Sequence, residues 1–216
     1  PLIHKWTWIN GDSSTGQYAI YGTPGIADTA NKPGAVFASI SWTDAESNLW
    51  LFGGFGFSNN SFGFLNSLWK YNTSTNEWTW VKGDATVDEL ALYGEQGIES
   101  STNKPGARYG SQAWTDATGN LWMFGGYGYD SSSSGILNDI WKYSPSTNQW
   151  TWIKGDPSVE QVAVFGTKGI PGASNKPGAR YVSSSWTDQA GKLWVFGGYG
   201  YDENNCGDLN DLWKYD

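Results

Sequence analysis

Residues 107–154 read ARYGSQAWTDATGNLWMFGGYGYDSSSSGILNDIWKYSPSTNQWTWIK. Ala107 to Thr115 has strand composition, and Asp116-Ala117-Thr118-Gly119-Asn120 has the residues of a tight hairpin connection. Leu121-Trp122-Met123-Phe124 is a short continuous apolar run ending in Gly125-Gly126, the pattern of a strand covered on both faces. Tyr127 to Gly135 reads as a flexible loop, and Leu137 to Tyr143 as a third strand. Ser144 to Asn148 is a second turn, and Gln149 to Lys154 a fourth strand with Trp150 and Trp152 on one face. Four short antiparallel strands joined by turns form one blade of a β-propeller.

Outward from this stretch the pattern recurs at a spacing of 72 residues, and the 216-residue chain holds three copies. Trp6, Trp78 and Trp150 are equivalent, as are Trp42, Trp114 and Trp186, and Trp69, Trp141 and Trp213. So are the pairs Gly53-Gly54, Gly125-Gly126 and Gly197-Gly198. All 15 tryptophans fall at five positions per unit, so the chain is one unit used three times, without insertion or deletion. The units run over approximately 11–82, 83–154 and 155–216, the last completed by strand 6–9 of a partner or of the same closed ring.

The run of Gly-Gly, Leu-Asn-Asp-Ile-Trp-Lys-Tyr, Ser-Pro-Ser-Thr-Asn and Trp-Thr-Trp resembles the kelch family, and more broadly the galactose-oxidase-like propellers. Trp-Lys-Tyr recurs at 69–71, 141–143 and 213–215, so the resemblance covers the whole chain, with a longer segment between blades than an ordinary kelch repeat has. It implies an all-β, kelch-type β-propeller with three four-stranded blades per chain. It does not imply a function, because kelch propellers include enzymes, binding modules and scaffolds.

Propellers have about 4–8 blades, so three do not close a ring. The first strand-like segment, Trp6 to Ile9, has the sequence of a fourth strand, and the chain stops after a third strand, Leu209 to Tyr215. Joining Asp216 to Pro1 would recreate the turn at Tyr143-Ser144-Pro145. The expectation is half of a six-bladed ring, with two chains exchanging terminal strands so that no edge is left open, or else a fragment of a longer propeller. Pro1 opens mid-motif, with neither initiator Met nor signal-peptide pattern, which points to a processed or trimmed segment.

Composition removes several functions. The formal net charge is −8 and the only arginines are Arg108 and Arg180, so no phosphate-tracking face exists and nucleic acid is excluded as a partner. No apolar run is long enough for a spanning helix, which excludes membrane insertion by that route. The single cysteine, Cys206, sits in a polar loop with no histidine beside it, the pattern of a bystander or an intermolecular handle rather than a nucleophile. The single histidine, His4, offers neither a metal site nor an acid–base relay, and the copper ligands of galactose oxidase have no counterpart. Catalytic and metal residues are therefore expected to be absent. Asp130, Asp202 and Asp208 could offer oxygens to calcium, but no calcium-loop template matches. Asp44, Asp116 and Asp188 open hairpins and are read as turn caps.

In a four-stranded meander the connections after strands two and four lie on one side, and here those are the long ones. That face is expected to gather Tyr93 from the segment between blades, Tyr127, Tyr129 and Asp130, and Tyr199, Tyr201 and Asp202. To these it adds Arg108-Tyr109 and Arg180-Tyr181, where the first unit has Val36-Phe37. Aromatic rings beside amide and charged groups suit carbohydrate. The alternative role for these rings is to pin the long loops to the blades. The sequence thus reads as a non-catalytic, secreted or surface-exposed binding propeller presenting one face to a glycan or protein ligand, and to itself as a homodimer. A structural self-assembly module is the second reading and a sugar-active propeller enzyme the third, disfavoured by the missing catalytic constellation.

Overall fold

A computed structural model describes residues 4–216. They form three antiparallel sheets and no helix, one sheet per repeat. The first contains β1 (Ala27–Asp28), β2 (Val36–Phe37), β3 (Ile40–Thr43), β4 (Leu49–Phe57), β5 (Phe62–Asn72) and β6 (Glu77–Lys82). The second contains β7 (Arg108–Tyr109), β8 (Gln112–Thr115), β9 (Leu121–Tyr129), β10 (Ser134–Ser144) and β11 (Gln149–Lys154). The third contains β12 (Arg180–Tyr181), β13 (Ser184–Thr187), β14 (Leu193–Tyr201) and β15 (Cys206–Tyr215). The order from inner to outer edge in the second sheet is β7 and β8, then β9, β10 and β11, each neighbour antiparallel. This is an all-β fold of the β-propeller type.

The inner strand is split. β7 and β8 both pair with β9, and the chain between them turns at Gly110 with φ +67°. Ala38 and Val182 take the same left-handed conformation, at φ +51° and +54°. These three residues are linked in series: Gly110 N–H donates to the Ala38 carbonyl and Val182 N–H to the Gly110 carbonyl. The sheets are thus stitched to one another at their inner edges.

The hydrophobic core lies between sheets. Trp42, Phe52 and Leu68 on one face of the first sheet pack with Leu121, Met123, Trp141 and Tyr143 on the opposite face of the second. Trp114, Phe124 and Ile140 meet Leu193 and Val195 of the third in the same way. Large flat rings fill these seams, as stacked blades require. The hairpin aspartates are caps: Asp116 accepts from the N–H groups of Thr118 and Asn120, and its second oxygen from the Trp122 indole at 2.7 Å. Asp44 and Asp188 do the same for Trp50 and Trp194.

One expectation needs correction. The stretch Tyr127 to Gly135 is not a flexible loop, nor are Phe55 to Gly63 and Tyr199 to Gly207. The second strands run on to Phe57, Tyr129 and Tyr201, leaving only short turns such as 130–133. The alternation Tyr-Gly-Tyr is a period-two strand pattern, and Gly128 lies where a side chain would collide with the Ala107 carbonyl. Trp6 to Ile9 is irregular and exposed, and β15 pairs with β14.

Candidate functional site

The face expected to bind is built by the Gly-Gly step. At Gly125, φ is +63° and a β-carbon would stand 2.6 Å from the Arg180 carbonyl of the next unit; Gly53 meets the Arg108 carbonyl at the same distance. Only glycine admits this approach, and it draws each inner strand against the second strand of the preceding unit. The third strand answers with a bulge between Leu137 and Ile140, matched between Leu209 and Leu212. The extra residue re-aims a side chain, and in the second and third units that side chain is Asp139 or Asp211.

Arg108 and Arg180 are spent on these carboxylates. Arg108, 1% exposed, donates from Nη1 to Asp139 Oδ1 at 2.5 Å and from Nη2 to Oδ2 at 2.9 Å; Arg180 grips Asp211 at 2.6 and 2.8 Å. Asp139 Oδ2 also accepts from the Tyr93 hydroxyl at 2.8 Å and the Trp141 indole at 2.7 Å. Burial alone would lower the Arg108 pKa, but Asp139 outweighs it and the guanidinium pKa moves up. The Tyr93 phenol is pushed up by burial and by the Asp139 charge. Neither arginine is available to a ligand, which corrects the expectation for Arg108 and Arg180. Tyr93 is corrected with them: it is buried against Trp141 and Trp152, pinning the segment between blades.

Asp130 and Asp202 also serve the fold. Asp130 is buried, and its carboxylate accepts from the N–H groups of Ser132, Ser133 and Val159. Burial opposes its ionisation, but these bonds hold its pKa below the usual carboxylate range. Asp202 caps the equivalent turn through Asn204 and Asn205 N–H. Asp130, Asp202 and Asp208 do not converge into a three-carboxylate cluster, and no other such group of metal-ligating side chains occurs among the described residues.

What remains of the expected set is a continuous aromatic band. Tyr109 stacks on Phe64 with ring centroids 5.6 Å apart, and Phe64 meets Tyr127 at 5.9 Å and Tyr129 at 5.7 Å. Tyr109 and Tyr127 each reach Tyr181, at 5.9 and 5.8 Å, and Tyr181 reaches Tyr199 at 5.9 Å. Tyr201, on the same strand, donates its hydroxyl to Glu160. Of the eleven expected residues, Tyr109, Tyr127, Tyr129, Tyr181, Tyr199 and Tyr201 lie on this surface. Most of the band is half-buried, and Phe37, Phe62 and Tyr199 are more open.

The phenols of Tyr109, Tyr129 and Tyr201 are shifted towards the neutral form. Burial and the neighbouring Tyr181 and Tyr127 raise the Tyr109 pKa. Burial and Asp88 raise that of Tyr129, and the bond to Glu160 raises that of Tyr201 to about 12. The band therefore offers ring faces and hydroxyl groups, with the carboxylates of Asp88 and Glu160 at its rim.

Residues 112–157, which contain the second Gly-Gly step, the Asp139 bulge and Trp150-Thr151-Trp152, match the family model for the Kelch motif. Those residues carry a kelch motif. A search of curated proteins gave no match. Kelch domains generally mediate protein–protein interaction, and the motif here lies within a β-propeller-type fold. The other two units repeat this stretch at a spacing of 72 residues, with one informative departure. The first unit has Val36 in place of the arginine and Ser67 in place of the aspartate, and Ser67 Oγ accepts from the Trp69 indole at 3.1 Å. Asp139 and Asp211 carried no expectation from sequence. Their signal was this paired loss of both charges from one unit.

Proposed function

We propose that this propeller is a non-catalytic recognition module whose aromatic band binds neutral carbohydrate. The observation that carries the reading is the unbroken run of half-buried rings from Phe64 to Tyr199 across all three sheets. Flat rings stack on the apolar faces of pyranose sugars, and phenols and carboxylates bond their hydroxyls. An anionic glycan is disfavoured, because both arginines are buried in ion pairs and the formal net charge is −8. A module of this type belongs outside the cell or on its surface, where glycans are displayed.

The kelch motif favours a second reading, a protein ligand on the same band. A glycan array followed by calorimetry on the best neutral oligosaccharide separates the two. Tyr109→Ala with Tyr181→Ala should remove binding while the thermal midpoint shifts far less than for a core substitution. Blanks across the array, or a ligand indifferent to that double substitution, would sink the carbohydrate reading.

A further inference from the structure

Each long connection holds one left-handed residue beside a ring of the second strand. Gly16, at φ +69°, faces Phe57, and a β-carbon there would lie 3.6 Å from that ring. Asp88, at φ +63°, lies beside Tyr129, and Glu160, at φ +64°, meets Tyr201. The three pairs are equivalent at the 72-residue spacing. Left-handed backbone favours glycine, and Gly16 shows that glycine satisfies this bend. An acid replaces it only where the ring carries a hydroxyl. Glycine goes with phenylalanine in the first unit, and an acid with tyrosine in the second and third.

The backbone does not call for these carboxylates. The N–H groups of Asp88 and Glu160 donate to the carbonyls of Phe64 and Ile136 at 2.9 and 2.7 Å, bonds open to any residue with an N–H. Asp88 Oδ1 also accepts from the Phe64 N–H at 3.0 Å, but among the described residues the Glu160 carboxylate bonds only the Tyr201 hydroxyl. Both side chains fold against a glycine of the neighbouring third strand. A β-carbon at Gly63 would stand 2.9 Å from Asp88 Oδ1, and one at Gly135 2.8 Å from Glu160 Oε1. These glycines leave room for the oxygens.

Neither carboxylate is neutralised. Lys104 pairs with Asp84 and with Glu89, the residue next to Asp88, while Lys176 pairs with Asp156. Arg108 and Arg180 hold Asp139 and Asp211. Among the described residues no cationic side chain forms an ion pair with Asp88 or Glu160. Both acids are exposed.

Each acid thus completes a corner at the rim of the aromatic band. Beside Asp88, Tyr129 meets Phe64 edge-on with centroids 5.7 Å apart. A carboxylate oxygen accepts more than one hydrogen bond, and a phenol oxygen still accepts while its hydrogen is given away. The corner therefore presents acceptors next to a ring face. It complements a group that brings donors on the rim of an apolar surface, which is what the adjacent hydroxyls and the ring face of a pyranose provide.

We propose, on the carbohydrate reading of the band, that Asp88 with Tyr129 and Glu160 with Tyr201 are two sugar subsites one repeat apart. Each stacks one pyranose unit on its tyrosine and takes hydroxyls of that unit on its carboxylate. The first unit, with Gly16 and Phe57, has no such subsite.

The test titrates cellopentaose, maltopentaose, mannopentaose and xylopentaose into the full chain by calorimetry. Those that bind are titrated again into Asp88→Asn, Glu160→Gln, the two combined, and the remote control Glu46→Gln. Asp88→Asn keeps an acceptor for the Phe64 N–H and removes only the charge. Each rim substitution should weaken binding roughly 10-fold, the loss of one hydrogen bond to a charged group, and the two together more than either alone. Circular dichroism should stay native in both, and Glu46→Gln should leave the affinity unchanged. If none of the four sugars binds the unsubstituted chain, the carbohydrate reading of the band falls and the subsites fall with it. If a sugar binds and its affinity survives both rim substitutions, that reading stands and the subsites are overturned. Binding lost only together with the native circular dichroism would overturn them as well, because the acids would then serve the fold alone.

Discussion

Breaking the Arg108–Asp139 pair from one side should be far more damaging than removing it whole. Asp139 has no exposed surface and accepts four hydrogen bonds, two from Arg108 and one each from Tyr93 and Trp141. Arg108→Val leaves that carboxylate charged, buried and without its cation, at a cost of about 3–5 kcal/mol. For a domain of this size each kcal/mol moves the thermal midpoint by about 2–4 °C, so the fall should be roughly 6–20 °C. Asp139→Ser strands the guanidinium at a similar cost. The double variant reproduces what the first repeat has at Val36 and Ser67, where the serine oxygen already serves the Trp69 indole. It removes both charges together and should cost less than either single substitution, which requires a coupling energy of about 3 kcal/mol or more. Urea unfolding of the four proteins, followed by tryptophan fluorescence, completes the cycle. Single substitutions costing under about 1 kcal/mol, or strictly additive effects, would refute the assignment of this pair as a buried structural bridge.

Two further outcomes follow from the turns and the glycine step. The bonds that Asp116 accepts lower its pKa to about 2 although burial works the other way, and those on Asp44 act in the same direction. A depressed folded-state pKa gives stability that is present above the unfolded value near 3.9 and lost as pH falls through the folded one. The urea midpoint should therefore decline between about pH 4 and about pH 2, and Asp116→Asn should flatten part of that decline; an unchanged slope would contradict the capping role. Gly125→Ala should destabilise well beyond Gly119→Ala. Both have left-handed backbone, which costs an L-residue about 1–2 kcal/mol, but only Gly125 faces a carbonyl, that of Arg180 at 2.6 Å from the added carbon, while Gly119 faces open space. Equal thermal midpoints for the two variants would contradict the close approach that builds the aromatic band.

The periodic elements were legible from the chain because their cause is local. Trp-Thr-Trp, Trp-Lys-Tyr, the hairpin aspartates and the Gly-Gly step recur at 72 residues, and alternation with turn chemistry is enough to mark strands and connections. The tyrosines at 109, 127, 129, 181, 199 and 201 were legible as candidates for the same reason, since the repeat multiplies any exposed position into a pattern. Their environment was misjudged where Tyr-Gly-Tyr was taken for a loop, because a glycine in a strand looks like a turn until the chain that presses against it is known.

The fate of each polar candidate was settled by contacts distant in sequence. Arg108 and Asp139 are 31 residues apart and Tyr93 and Asp139 are 46 apart, so nothing in their neighbours signals that they meet. A buried charge needs an opposite charge in bonding geometry, and only the folded arrangement of inner strand, bulge and connecting segment supplies it. The seams between sheets have the same character: Trp114, Phe124 and Ile140 of one sheet meet Leu193 and Val195 of the next. The repeat gives every unit both halves of such a seam. Which faces meet is set by the packing of twisted sheets against one another, a property of their relative orientation that residue order does not encode locally.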